Sequence, residues 1–374
     1  MKTPYLEIDL SKIHDNAKRL NAMFGARGIE ITGVSKCALG EPRIANAMVS
    51  AGVSSLGDSR IQNIIRMKKA NVDAIFTLIR TPSASEIHDV VTYADVSFNT
   101  EISVIAKLSK AAITQNKIHD ILLMIEMGDR REGIPREDIG KIIEEVLQME
   151  GVQIIGLGTN LACLNGVKPT QDNMDHLSRL ADFHEKTYDI KLNIVSGGNS
   201  ANFDWVLAHG NEGRVNNVRL GEAILMGRET LSRKPIDGLH LDAFSLVSEV
   251  IESKVKPSLP EGESGQDAFG NTPVFEDKGE MLRSIVALGR QDVPMEGLTP
   301  MIDVDILGSS SDHIVLDATR TPLHVGDHVR FNLDYAALLS SMTSPFVGSS
   351  FIESKTQFRA INTFMQKQNQ AHTL

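Results

Sequence analysis

Apolar positions along this 374-residue chain recur with two periods, one of two residues and one near four, and the two alternate with unusual regularity. Residues 5–10 alternate apolar and polar, which predicts a short strand. Ser11 then reads as an N-cap, with Ile13, Ala17 and Leu20 at helical spacing behind it. From residue 29 a rhythm sets in. Strand patterns fall at 29–35, 54–57, 74–79, 96–98, 121–127, 152–157, 192–195 and 217–220. A helical face follows each: Ile44, Ala47 and Met48 after Pro42; Ile61, Ile64 and Met67; Ile87 and Val90 behind Ser83; Ile102, Ile105 and Leu108; Ile139, Ile143 and Val146; then 174–183, 200–207 and 223–226. Strand followed by helix, eight times over, predicts an α/β fold of the (β/α)8 TIM-barrel kind. An open doubly wound sheet is the competing architecture. It would bring a GxGxxG turn after its first strand, and none is present.

After Gly227 the texture changes. Alternating runs at 244–253, 282–288, 301–307, 313–316 and 329–333 are separated by glycine and proline turns, which predicts a mostly β second domain. The expected division is a barrel over 11–228, a C-terminal β domain made of 1–10 plus 237–352, and a polar tail over 353–374 containing Gln366, Gln368, Asn369 and Gln370. The stretch 257–277, rich in glycine, proline and acids, reads as a long loop of the functional kind.

Composition narrows the function classes. Hydrophobic residues make up 41% and charged residues 23%, ordinary for a globular protein. A formal net charge of −10 offers no basic surplus for nucleic acid or an anionic membrane. Cys37 and Cys163 have no metal-ligand spacing, and no metal is expected. Acids stand where a signal peptide needs an apolar run, and no stretch approaches the length of a membrane span, so a cytoplasmic location is expected.

In a barrel of this kind chemistry sits at the C-terminal ends of the strands. Lys36 follows the first strand, in Val34-Ser35-Lys36-Cys37-Ala38. Alone, it would be an ordinary solvated loop charge. The seventh strand is followed by Ser196-Gly197-Gly198-Asn199-Ser200, and the eighth ends in Arg219-Leu220-Gly221-Glu222. Those two loops form the usual phosphate corner of a barrel; glycines let backbone amides approach an anion, and Ser200 adds a hydroxyl at a helix start. A lysine opposite a phosphate cradle fits pyridoxal 5′-phosphate, with Lys36 holding the aldehyde as a Schiff base. Arg219 is placed to partner the pyridine nitrogen. A guanidinium stays protonated and donates to a neutral ring nitrogen, which makes a weaker electron sink than a carboxylate partner would and suits brief removal and return of an α-proton.

Val34-Ser35-Lys36, the Arg131 loop, Thr159-Asn160-Leu161-Ala162, Gly198-Asn199-Ser200-Ala201 and Val218-Arg219-Leu220-Gly221 together resemble the ordered motifs of the alanine racemase superfamily. Gly57-Asp58-Ser59-Arg60-Ile61, Gly158-Thr159-Asn160-Leu161, Asp267-Ala268-Phe269-Gly270-Asn271 and Ser309-Ser310-Ser311-Asp312-His313 are similar to its ornithine racemase branch. The resemblance implies a pyridoxal-phosphate-dependent amino-acid racemase that interconverts L and D enantiomers by two-base proton transfer. The substrate it implies is a basic amino acid, ornithine, lysine or arginine. It also implies a head-to-tail homodimer with shared active sites. Lys36, Arg131, Asn160, Asn199, Ser200, Arg219, Gly221 and Glu222 are the implied cofactor-binding set. Three departures stand out: Gly40 where alanine racemases have a tyrosine on the phosphate, Asn160 where they have a histidine against the ring, and Phe269 where they have the tyrosine that serves as second base. Phenylalanine moves no proton, so Asp267, Asp312 and His313 are the candidates for that face, with His313 the easiest base on titration grounds. The alternatives are an alanine or serine racemase, a non-catalytic pyridoxal-phosphate homeostasis protein (a single barrel, against which the β domain argues), a decarboxylase, which an acid at position 219 would favour, and a metal-assisted aldolase.

Overall fold

A computed structural model describes residues 2–210 and 212–353. The chain divides into two compact units. Leu10–Leu241 forms one, and residues 2–9 together with 242–353 form the other.

In the first unit, among the described residues, eight parallel strands close into a barrel: β2 Glu30–Val34, β3 Ser55–Asp58, β4 Ile75–Leu78, β5 Val96–Asn99, β6 His119–Met124, β7 Val152–Gly158, β8 Ile194–Asn199 and β9 Asn217–Leu220. Closure is made by β9 on β2, with Ile31 opposite Val218 and Thr32 opposite Arg219. The helices between them are α2 Pro42–Ser50, α3 Ile61–Lys69, α4 Ile87–Tyr93, α5 Ile102–Thr114, α6 Ile139–Val146, α7 Gln171–Tyr188, α8 Phe203–His209 and α9 Glu222–Met226, while α1 Leu10–Gly25 precedes β2. Each begins where its sequence allows. Pro42 opens α2 with Glu41 capping Arg43 N–H, and Thr170 with Asn173 forms a reciprocal capping box on α7. Apolar faces bury Ile44 and Met48 on α2, and Ile61, Ile64 and Met67 on α3. Val96, Phe98, Leu122 and Met124 form a buried cluster with Ile79, Ile155 and Ile194 packed against it. Side chains alternate faces along a strand, so the residues between these point the other way.

Two barrel details differ from the sequence expectation. The fifth strand of the pattern, expected to run to Met127, ends at Met124. Glu126 there turns its carboxylate back onto the N–H groups of Gly128 and Arg130, and Ile125 bridges to Ile134, so the chain folds over on itself. Gly133, at φ 144°, makes this possible, since a Cβ would lie 2.4 Å from Glu126 N. The segment 200–207 is a 3-10 turn, Ser200–Asn202, leading into α8.

The second unit is mostly antiparallel. Its strands are β1 Tyr5–Asp9, β10 Phe244–Pro257, β11 Glu280–Val286, β12 Leu298–Pro300, β13 Asp305–Ser309, β14 Ile314–Asp317, β15 His328–Leu333 and β16 Gly348–Ile352. They pair in the order β12-β15-β10-β11-β14-β13, with β1 against β10 and, in parallel, against β16. The run expected as one strand over 301–307 is strand only from Asp305, in β13, because the chain before it bends and Val304 N–H turns back onto the Ile302 carbonyl. Helix α10, Tyr335–Thr343, had no counterpart in the alternating pattern; Asp334 caps it by accepting from Ala337 N–H. Of the polar tail expected over 353–374, residues 354–374 lie outside the described residues.

Candidate active site

Strand order carries the chemistry-bearing residues to one rim of the barrel. Lys36 begins a 3-10 turn directly after β2, Asn160 follows β7, Asn199 and Ser200 follow β8, and Arg219 lies on β9. Arg219 is the most constrained of them. It is 4% exposed, and its guanidinium sits 5.1 Å from the centre of the Phe98 ring. Nη1 donates to Ser196 Oγ at 2.6 Å, and Nη2 donates to the Thr159 carbonyl at 2.7 Å and to Asn160 Oδ1 at 3.2 Å. Nε takes no part in these bonds. Burial pushes the guanidinium down to about 10, opposed by the nearby Cys163 and Glu132, so it stays charged at neutral pH.

Asn160 and Asn199 extend the network. Asn199 Nδ2 donates to Asn160 Oδ1 at 3.0 Å and to the Leu161 carbonyl at 2.8 Å, while its Oδ1 accepts from Ala201 N–H. Asn160 Oδ1 therefore collects two donors, and its buried Nδ2 has no protein partner. Ser200, 3% exposed, accepts from Ala223 N–H at 3.2 Å, which ties the turn after β8 to the turn after β9. At Gly198, φ is 149° and a Cβ would lie 2.0 Å from Asn202 Oδ1, so the first turn requires glycine there. Gly221 packs against Val34, with a Cβ position 3.2 Å from Val34 Cβ. The Glu222 carboxylate is 8% exposed and pairs with Arg233. A carboxylate beside a phosphate would be repulsive, so what Glu222 can offer an anion is its backbone.

Arg131 stands over this rim on the loop after β6, paired with Glu132, whose hydrogen bond raises the guanidinium above its usual range. Asp129, 1% exposed, locks that loop to the next one. It accepts from the N–H groups of Cys163, Leu164, Asn165 and Val167 at 2.9–3.3 Å. Burial would raise its carboxyl, but the amides of Leu164, Val167, Cys163 and Asn165 outweigh burial and hold it below the usual range. The two cysteines are free thiols: Cys163 is exposed, and Cys37, buried beside Lys36, is pushed up to about 12 by burial. Among the described residues no group of three or more His, Cys, Asp or Glu could hold a metal ion, and no helix is long and apolar enough to cross a membrane.

Residues 8–229 match the family model described as "Alanine racemase, N-terminal domain". The chain belongs to the alanine racemase family. Over 350 residues it is 39% identical to an ornithine racemase of Acetoanaerobium sticklandii, covering 92% of this chain and 98% of that protein. It is 41% identical over 351 residues to a lysine racemase of Thermotoga maritima, covering 93% and 98%. Among solved structures, the alanine racemase from D-cycloserine-producing Streptomyces lavendulae superposes with a TM-score of 0.73 at 17% identity, covering 96% of this chain and 99% of that one; that likeness speaks to the fold. Barrel and β unit are thus both those of the alanine racemase fold.

The family's cofactor is pyridoxal 5′-phosphate, and the residues present fit it. Arg219 has an uncommitted Nε donor, Asn160 has a buried amide needing an acceptor, and two linked glycine turns follow β8 and β9, the latter being the strand that closes on β2 below Lys36. Sequence reasoning overlooked part of this set. Ser196 and Phe98 hold Arg219 in place, and Ser196 could have been found by counting two residues on from Ile194, which packs against the buried cluster. The Asp129 carboxylate carried no signal, because the groups it accepts from are all backbone amides.

The three candidates for the second face lie in the β unit. Asp267 accepts from Phe269 N–H at 2.9 Å and Asn271 N–H at 2.8 Å, so it closes its own turn, and the Asn271 bond chiefly holds its carboxyl below the usual range. Asp312 Oδ1 lies 2.9 Å from His313 Nδ1 and accepts from Ser310 Oγ, with the His313 contact the main cause of its lowered carboxyl. Arg290 connects the two turns: its guanidinium lies 5.1 Å from the Phe269 ring centre, and its N–H donates to the Ser310 carbonyl.

Proposed function

We propose that this chain is a pyridoxal-phosphate-dependent racemase of a basic amino acid, interconverting the L and D forms. The observation that carries the chemistry is the caged Arg219, charged and buried, with Nη1 held by Ser196, Nη2 held by Thr159 and Asn160, and Nε outside these bonds. The substrate class rests on the relatives at 39% and 41% identity, an ornithine racemase and a lysine racemase.

When bound, the cofactor acidifies the substrate Cα–H by conjugating it to an electron-withdrawing imine and ring. Lys36 would anchor the cofactor's aldehyde carbon, and its amine, when free, would carry the proton to or from one face of Cα. Arg219 would donate Nε–H to the ring nitrogen without protonating it, so that negative charge at Cα is held briefly. The turns at Gly198–Ser200 and Gly221–Glu222 would hold the phosphate, and Asn160 and Asn199 would line the ring. Arg131 would orient the substrate carboxylate. The opposite face would be served by His313, supported by Asp312, while Asp267, engaged in its own turn, is suited to shaping that loop. Those groups would come from a second copy of the chain, in a head-to-tail homodimer with shared sites.

Lys36→Ala should remove both the visible absorbance of the lysine-bound cofactor and racemisation; retention of either contradicts the assignment. In a panel of L-amino acids followed by loss of optical rotation, ornithine and lysine should turn over fastest. Faster turnover of alanine or serine would overturn the substrate class.

A further inference from the structure

Behind the barrel wall, one carboxylate is bound to the residue that precedes Lys36. Ser35, Asp58 and Asn63 are all buried, at 0%, 0% and 5% exposure. Ser35 Oγ donates to Asp58 Oδ2 at 2.8 Å. Asp58 Oδ1 accepts from Arg60 N–H at 2.9 Å and from Asn63 Nδ2 at 3.0 Å. The carboxylate thus joins the end of β2, the end of β3 and the start of α3. Burial pushes its carboxyl up, opposed by the Arg60, Ser35 and Asn63 donors.

The same α3 turn grips the Lys36 turn from a second direction. Leu39 and Gly40 both have positive φ, 52° and 59°. A Cβ on Gly40 would lie 2.8 Å from Asn63 Cβ and from Asn63 O, so that turn is packed flat against Asn63. Ser35 O accepts from Ala38 N–H at 2.9 Å and Gly40 N–H at 3.3 Å, and Arg66 donates to the Leu39 carbonyl. Ser35 is the N-cap of the 3-10 turn that Lys36 opens, with φ −94° and ψ −4°, so holding Ser35 holds the backbone from which the Lys36 side chain departs.

We propose that Asp58 is a positioning residue for Lys36, acting through Ser35: it sets the backbone from which the lysine amine reaches the substrate Cα. Nothing about this role requires Asp58 to touch substrate or cofactor. It rests on the reading of Lys36 given above. A lysine whose root can shift by a fraction of an ångström still anchors the cofactor, because a long side chain absorbs the error; proton transfer, which needs a near-attack geometry, does not tolerate it.

The test compares Asp58→Ala, Asp58→Asn, Ser35→Ala and the Asp58→Ala/Ser35→Ala double variant of the cofactor-loaded enzyme, with Lys36→Ala run alongside. kcat, KM and the α-deuterium isotope effect are measured on one basic amino acid, below the melting range of the least stable variant. Asp58→Ala and Ser35→Ala should each lower kcat by about ten- to a hundredfold with KM little changed and the isotope effect raised, and the double variant should be no worse than the poorer single. Asp58→Asn, which keeps an acceptor for Arg60 and Asn63, should recover part of the loss. Additive losses, an unchanged isotope effect, or a fall confined to melting temperature would overturn the proposal. Should Asp58→Ala fail to fold, Ser35→Ala and Asp58→Asn decide it: wild-type kcat and isotope effect in both overturn it. Full activity in Lys36→Ala would remove the reading of Lys36, and with it this role. A dead Lys36→Ala beside unaffected Asp58 variants would remove this role alone.

Discussion

At the residue scale, Arg219 shows why a substitution that keeps charge is not conservative. Its planar fork fills three acceptors at once, on Ser196, Thr159 and Asn160, and its face lies against Phe98. A lysine would keep the charge and leave at least one of these buried partners unmatched. Arg219→Lys should therefore lower stability by about 1.5–3 kcal/mol, measured by denaturant unfolding, and should weaken cofactor retention on dialysis. Wild-type stability with wild-type cofactor retention would show that the cage is not needed. Much at this scale was legible beforehand: Lys36, Arg219, Ser200 and Asn199 were visible because each ends a strand or opens the turn after one. Asp129 was not, since a carboxylate that binds only backbone amides leaves no partner residue in the sequence to recognise. Asp58 appeared merely as part of a motif, because burial behind the barrel wall depends on α3 folding over it.

At the scale of elements, the loops after β6 and β7 behave as one cap because Asp129 pins the second to the first. Asp129→Ala would strand four amide donors. It should raise KM for substrate several-fold through Arg131, and it should speed proteolytic cutting near Cys163–Val167; an unaltered cutting pattern would contradict this coupling. A second prediction concerns the barrel wall itself. His119 at the start of β6 is buried against Ser97 Oγ at 2.8 Å, and burial lowers its pKa from 6.5 to about 4. Because the unfolded chain binds this proton at higher pH than the folded one, stability is full above about pH 6.5 and falls as pH drops toward 4. His119→Gln should flatten the melting-temperature profile across that window, and an unchanged slope would assign the pH dependence elsewhere. Element prediction worked best for the existence and order of the eight barrel strands, less well for their ends: the strand expected over 192–195 runs Ile194–Asn199. It faltered where local side chains intervened: Glu126 ends β6 early by capturing two amides, and α10 arises from the Asp334 cap in a stretch whose neighbours all alternate.

For the whole molecule, the proposed sharing of sites between two copies has a direct consequence. A Lys36→Ala chain and a His313→Ala chain are each expected to be inactive or nearly so. Mixed and allowed to exchange, they form some dimers in which one site receives the intact Lys36 and the intact His313 together. Activity should reappear on mixing, to a fraction of wild type, with sedimentation at dimer mass. No recovery despite demonstrated exchange would mean that each site is built from one chain. The fold class was readable because eight repeats of one pattern leave few alternatives. The proposed contribution of a second copy left no periodic trace; it entered through the family resemblance and one non-matching position, Phe269.

The parallel pairing of β1 with β16 sets Tyr5 opposite Gly348 and Ile8 opposite Phe351. The barrel, by contrast, closes within Glu30–Leu220. During synthesis, then, the barrel has all its strands while most of the β unit is still untranslated, and β1, with its apolar Leu6 and Ile8, has emerged before the barrel and has nothing to pair with. Leu6 and Ile8 must wait through the making of an entire domain for their neighbours. A ribosome stalled before Gly348 would hold a finished barrel tethered to an unfinished sheet, and that interval is when this chain most needs a chaperone.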